Sequence, residues 1–352
     1  MIPVFDGHND FLLRLLQDPA RRDENFLTGE GKGHLDLPRM RASGFAGGFF
    51  AIYLPSAVAH DDADYQARME HPPYTLPLPD LIPFADAIGP ASAAAGHLMW
   101  MERASGGALK ICRTAGELRA CVANGVIAAI LHMEGAEAID DNLDALHLFQ
   151  AIGLRSLGLV WSRPTIFGHG VPFAFPSSPD TGPGLTEAGK RLVRACNQLR
   201  IMLDLSHMNE AGFNDVARLS DAPLVATHSN AHSVTPSSRN LTDRQLAMIR
   251  DSGGMVGLNF SVSFLRADGR RLADCGWDPI LRHMDHLLSN LGEDHLGFGS
   301  DFDGCTTPEV IGDVSGLPRL IAALAAHGYD RPLLEKLAHG NWLALLDRTF
   351  GA

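Results

Sequence analysis

The 352-residue sequence has little cysteine, no long apolar run and no excess of basic charge, and each shortage removes a class of protein. Its five cysteines (Cys112, Cys121, Cys196, Cys275 and Cys305) are scattered, odd in number and form no C-x-x-C pair. That pattern excludes a disulfide scaffold and reads as free, partly buried thiols in a reducing compartment. No uncharged apolar stretch reaches the roughly 18 residues that a membrane helix needs. The N-terminus, MIPVFDGHND, lacks a basic segment followed by an apolar run, and the C-terminus, DRTFGA, lacks a hydrophobic tail. A soluble, cytoplasmic protein with no membrane partner is expected. The net charge of −12 argues against nucleic acid, whose phosphates require a basic face. No G-x-S-x-G is present, and no G-x-G-x-x-G follows the first strand, as a doubly wound dinucleotide fold would have.

What is present is an alternation of short apolar runs with helical segments. Ile2 to Phe5 and Gly47 to Leu54 (GGFFAIYL) read as the first two strands. Val126 to Met133, Ser156 to Val160, Ile201 to Leu205, Leu224 to Ala226, Met255 to Asn259 and Leu296 to Gly299 supply six more. Helical patterns separate them, among them Phe84 to Ala104, Thr186 to Leu199, Asp243 to Ser252 and Pro279 to Leu291. Eight strand–helix units in one chain of this length predict an α/β fold, a (β/α)8 TIM barrel of the metal-dependent hydrolase type. The reading is a single domain over residues 1–352, with long loops at about 55–83 and 163–184.

Barrel enzymes carry their chemistry where strands run out into loops at the C-terminal face. At the ends of strands one, three, five, six and eight stand His8 and Asp10, Glu134, His207, His228, and Asp301. His8 and Asp10 form an H-x-D pair, and residues two apart in an extended segment share a face, so both can reach one cation. Glu134 ends an apolar run, where an unpaired carboxylate would be costly, and a carboxylate can bridge two cations. His207 and His228 end successive strands, and neutral imidazole suits zinc. Asp301, in GFGSDFDG, reads as a further metal-site residue or a proton shuttle, with its neighbour Asp303 capping the turn. His232, four residues after His228, sits in loop-like sequence and is not expected to be a ligand. His283 and His286 are expected to be solvated or hydrogen-bonded.

Together DGHND, GGFFAIY, the Glu of HMEGAE, LDLSHMNE, THSNAHS with SRNLTD, and GSDFDG resemble the renal dipeptidase (membrane dipeptidase) family, peptidase family M19. The likeness spans residues 3 to 304 in order and continues through GNWLALL. It implies two Zn2+ per chain, with His8 and Asp10 on the more buried ion, His207 and His228 on the second, and Glu134 bridging both. It makes Asp301 and Glu134 the catalytic pair, with Asp301 moving the proton of a bridging hydroxide, and Arg239 the grip on the substrate's terminal carboxylate. The implied reaction is zinc-dependent hydrolysis of dipeptides, L-Xaa-D-Xaa among them. The implied partners are a small-molecule dipeptide and, as is usual in the family, a second copy in a homodimer. One position departs: Trp161 stands where the family usually has a substrate-contacting histidine, and His169 is the alternative on the same loop. That departure keeps open another metal-dependent amidohydrolase, such as an N-acyl amino acid deacylase or a lactonase. A non-catalytic, metal-stabilised binding protein is a third reading.

Overall fold

The apolar runs do form strands, and the strands run parallel until they close on themselves. The computed structural model describes residues 1–29, 32–56 and 66–351. Its barrel strands are β1 (Val4–Asn9), β2 (Phe45–Tyr53), β3 (Ile127–Glu134) and β4 (Leu154–Gly158), then β5 (Met202–Asp204), β6 (Val225–Ala226), β7 (Met255–Asn259) and β8 (Leu296–Gly299). They lie in the order β2-β1-β8-β7-β6-β5-β4-β3, and pairing of β2 with β3 from Gly47↔Ala128 to Tyr53↔Glu134 closes the ring. Helices separate successive strands, which makes the fold a (β/α)8 barrel. A closed parallel sheet is covered on both faces, which is why its strands are nearly continuous apolar runs. Among the described residues, no helix is long and apolar enough to cross a membrane.

Three details differ from the sequence reading. β1 continues to Asn9 instead of stopping at Phe5, because Asn9 still pairs with Phe50. β4 begins two residues earlier than expected, at Leu154. An unexpected short strand, Leu109–Ile111, pairs with the foot of β3. The two long loops are tied together by an antiparallel pairing of Tyr74–Thr75 with Ala174–Phe175. The part of the first loop at 57–65 lies outside the described residues.

The barrel interior changes character from bottom to top. Phe5, Phe49, Ile130, Met202, Met255 and Trp342 form an apolar plug in the lower half. Trp342, from the C-terminal helix Asn341–Phe350, is fully buried, and its indole N–H donates to the Phe298 carbonyl at 3.0 Å. Stepping upward by two from Ile130 along β3 reaches His132 and then Glu134. The same step from Gly297 on β8 reaches Gly299 and then Asp301. Alternation along the strands therefore carries an oily floor into an ionisable mouth.

β1 needs one extra device. Asp6 faces Gly48 and Asn9 faces Phe50, three steps on β1 against two on β2. The added residue is a β-bulge, and it reverses the alternation. Phe5 and Gly7 face inward below it; His8 and Asp10 do so above it.

Between floor and mouth the backbones crowd together. A Cβ on Gly7, Gly257 or Gly299 would lie 2.4, 2.0 or 1.9 Å from the Thr227 carbonyl oxygen. Only glycine permits that approach, which fixes the peptide leading into His228. Gly299→Ala should therefore cost about 1–3 kcal/mol by overpacking. Gly96→Ala, on the exposed side of helix Phe84–Ala104 with nothing within 4 Å, should stabilise by roughly 0.5–1 kcal/mol. Urea unfolding of the two variants beside the parent checks the contrast.

Candidate metal centre

The six residues at the strand ends converge on one point. His8 Nε2 lies 3.4 Å from Asp10 Oδ2 and 3.7 Å from Glu134 Oε1. The same Glu134 oxygen lies 3.0 Å from His207 Nε2 and 3.3 Å from His228 Nε2, and those two nitrogens are 3.1 Å apart. Ligand atoms of His8, Asp10 and Asp301 fall within 4.8 Å of one another, as do those of His8, Glu134 and His228. All six side chains are buried or nearly so. His207 and Asp301 reach the site from left-handed backbone, with φ of 66° and 58°. Non-glycine residues take up that conformation at a cost, and it concentrates where a side chain must be aimed.

The donor chemistry fits a cation. Both ring nitrogens of His8 and the Oδ1 of Asp10 are buried without a hydrogen-bond partner among the described residues, a costly arrangement unless something else satisfies them. Imidazole nitrogens and carboxylate oxygens at this density suit zinc. The electrostatics agree. Burial drives the Glu134 carboxyl well above the usual carboxylate range, with Asp10 and Asp301 adding to the rise. Burial, followed by the neighbouring Asp10, pushes Asp301 up to about 7. Burial also lowers His207 and His228 well below the usual imidazole value, keeping both neutral, the form that ligates metal. A bound cation would favour the ionised carboxylates.

Outer partners orient the imidazoles. Ser162 Oγ lies 2.8 Å from His207 Nδ1, and Thr227 Oγ1 lies 2.9 Å from His228 Nδ1. Thr227 is itself fixed by Asp204, through its backbone N–H at 2.9 Å and its hydroxyl at 2.5 Å. Asn259 donates its side-chain N–H to Asp301 Oδ2 at 3.0 Å. His132 stands beside His8, ring centroids 5.3 Å apart, and its Nδ1 lies 2.9 Å from the Ser156 hydroxyl. None of these residues is given a role at the site by the sequence alone. Three of them carried a signal: Thr227 and Asp204 occur in VATH and LDLSH, and His132 precedes Glu134 by two, the same spacing as His8 and Asp10.

Above the cluster opens a cavity of about 450 Å³, with Asp10, Glu134, His207 and Asp301 among its lining. One side is an aromatic wall. Tyr53 lies 5.1 Å from Trp161, Trp161 5.5 Å from Phe173, and Phe173 stacks on Phe264 at 6.1 Å. Trp161 is therefore in the cavity, and Arg163 holds it there. The Arg163 guanidinium lies 5.3 Å from the Trp161 ring and 5.6 Å from Tyr53. Fully buried, it donates to Glu137 at 2.6 Å, the Ser56 hydroxyl at 2.7 Å and the Leu54 carbonyl at 2.6 Å. His169 does not line the cavity.

Arg239 is 3 % exposed beside the cluster, with Nη2 donating to the His228 carbonyl at 3.3 Å and Nε without an acceptor among the described residues. Burial brings its pKa down to about 10, opposed by Asp301 and Glu134. Asp303 does not cap the turn. It accepts from the His34 backbone N–H at 2.7 Å and pairs with Arg14 at 3.3 Å, because its own φ of 66° aims it away from the following residues. His232 contacts the Ser177 carbonyl, and His283 is a buried acceptor for the Ala231 N–H, so both stay clear of the centre.

Partners that orient ligating histidines are typically worth 10–100-fold in metal affinity. Ser162→Ala and Thr227→Val should each weaken metal binding by about that factor, read by competition with a chromogenic chelator.

The model of the membrane dipeptidase family, peptidase family M19, matches residues 1–349. The crystal structure of a metallo peptidase from Rhodobacter sphaeroides, liganded with a phosphinate mimic of the dipeptide L-Ala-D-Ala, is 69% identical. It superposes with a TM-score of 0.98, covering 99% of each chain. The structure of a dipeptidase AC, described as a metallo peptidase of family M19, is 68% identical with a TM-score of 0.98, over 100% of this chain and 99% of that one. An uncharacterized protein in the pqqA 5′ region of Klebsiella pneumoniae is 52% identical over 246 residues, 70% of this chain and 91% of the relative.

Proposed function

The chain belongs to the membrane dipeptidase family, peptidase family M19, and on that premise we propose that it is a binuclear zinc dipeptidase acting on small dipeptides, L-Xaa-D-Xaa among them. Membership makes it a metallo-dipeptidase. The observation that carries the finer reading is the convergence of three imidazoles on one oxygen of Glu134. Five donor residues, one of them the central carboxylate, are more than one tetrahedral ion uses, and a structural site would be closed and not open onto a cavity. His8 and Asp10 would hold one zinc and His207 and His228 the other, with Glu134 common to both. When bound, two zinc ions acidify water and polarise a carbonyl oxygen.

The remaining residues position the substrate and move its proton. Arg239 offers a planar, buried guanidinium that can grip the terminal carboxylate of a dipeptide and fix the scissile bond over the cluster. Asp301, held by Asn259 and ionised beside a bound cation, accepts a proton from the attacking water and returns it to the leaving amine. Trp161 supplies an apolar surface and one N–H donor but carries no proton, so it shapes the pocket and takes no part in acid–base chemistry. The L-Ala-D-Ala mimic bound to the Rhodobacter sphaeroides relative supports a small dipeptide with a D-residue at the second position. A homodimer and a cytoplasmic location belong to the same proposal, as does one domain spanning the chain; the five free cysteines fit a reducing compartment.

A second reading, an N-acyl amino acid deacylase or lactonase, draws on the tryptophan in place of histidine. A panel of L-Xaa-D-Xaa and L-Xaa-L-Xaa dipeptides beside N-acyl amino acids and lactones separates the two. Asp301→Asn should lower kcat on dipeptides by about 10²–10⁴-fold while keeping the metal. Arg239→Met should raise KM roughly 10–100-fold by removing a charge-assisted contact. Turnover of acyl amino acids or lactones in preference to every dipeptide would favour the second reading.

A further inference from the structure

One cation in the cavity has no task in this scheme. Asp10 and Glu134 are committed to the metal cluster and Asp301 to the proton. Asp303 is paired with Arg14. Among the arginines nearby, Arg163 is locked to Glu137, Arg266 to Asp268 and Asp274, and Arg270 to the Glu70 carbonyl. Arg239 is assigned to the terminal carboxylate. Arg271 is different: it lines the cavity, yet its guanidinium makes no ion pair and no side-chain hydrogen bond among the described residues. Its backbone is held, N–H to the Met69 carbonyl at 2.9 Å, so the side chain springs from a fixed point. Burial is the main influence on it and lowers its pKa, with Cys305 and Glu70 pulling the other way.

A partly desolvated guanidinium facing a binding cavity is unfavourable until an anion meets it, and a planar fork is shaped for carboxylate. A dipeptide bound through its terminal carboxylate at Arg239 has one kind of anion left to offer. We propose that Arg271 recognises a side-chain carboxylate, so that the enzyme prefers dipeptides containing an acidic residue to neutral dipeptides of the same size. The proposal rests on the dipeptidase reading above and narrows its substrate class. The rest of the lining suits the role: Ser261, Ser263 and Thr306 line the same cavity and can supply hydroxyl contacts, and Phe264, also in the lining, lies 5.3 Å from the Arg239 guanidinium.

Isosteric pairs isolate the effect of charge. L-Ala-D-Glu is compared with L-Ala-D-Gln, and L-Glu-D-Ala with L-Gln-D-Ala, on the zinc-loaded enzyme. In at least one pair, kcat/KM should favour the acid by about tenfold to a hundredfold, mostly through KM and less so at high salt. Arg271→Met should bring that ratio close to one. Arg271→Glu should turn the preference toward the lysine-containing analogue, a gain that a merely misfolded variant cannot show. Zinc content and circular dichroism of each variant establish that the barrel is intact. A ratio near one in both pairs for the parent enzyme would overturn the proposal. So would an equal rise in KM for acidic and neutral partners in Arg271→Met, which would make Arg271 a grip on the terminal carboxylate. Absence of turnover on every dipeptide would remove the dipeptidase reading itself, whereas turnover without acidic preference removes only this inference.

Discussion

Glu134 sets the problem that the rest of the molecule solves. A single carboxylate oxygen is approached by three imidazole nitrogens at 3.0, 3.3 and 3.7 Å, with Asp10 and Asp301 close by, inside the mouth of an apolar barrel. Without a cation, burial raises the Glu134 and Asp301 carboxyls above the usual range, while His8, against the lowering effect of burial, is raised to about 10 by Glu134 and Asp10. Such a group of side chains is tolerable only if charge of the opposite sign joins it. The fold supplies rigidity for that purpose. Glycines at three strands let backbone close around the Thr227 carbonyl, a bulge turns β1 to present His8 and Asp10, and left-handed residues aim His207 and Asp301. Each device costs stability locally, and the apolar plug around Trp342 offsets it below.

The cavity wall is built mainly from residues outside the donor cluster. The aromatic wall from Tyr53 to Phe264 is held by a buried ion pair, Arg163 with Glu137, which contributes geometry more than stability. Trp161 is part of this wall, and its ring lies 5.8 Å from that of His207, so the wall abuts the donor set directly. Phe264 of this wall lies 5.3 Å from the buried Arg239 guanidinium, and Arg271 lines the same cavity as Phe264.

Much of this was legible in the sequence. Buried parallel strands leave continuous apolar runs, so eight of them could be counted, and the ionisable residues at the ends of five of them could be read as facing one mouth. What stayed hidden depended on geometry that single residues do not encode. The bulge in β1 follows from its pairing with β2 and has no local signature, so the apolar run alone ends the strand at Phe5. The left-handed turns at His207, Asp301 and Asp303 are imposed by tertiary contacts; Asp303 consequently meets Arg14 and His34 and not the turn it was expected to cap. Ser162 and Asn259 are ordinary polar residues until the fold brings them 2.8 and 3.0 Å from His207 and Asp301. The Leu109–Ile111 strand is too short for periodicity to show.

The central claim is that Glu134 is shared by two cations, and metal stoichiometry tests it directly. Protein purified without chelators and saturated with zinc should carry two ions per chain by elemental analysis. Glu134→Gln, which keeps shape but loses charge, should retain at most one. One ion or none in the parent protein, or two in the Glu134→Gln variant, would contradict the account.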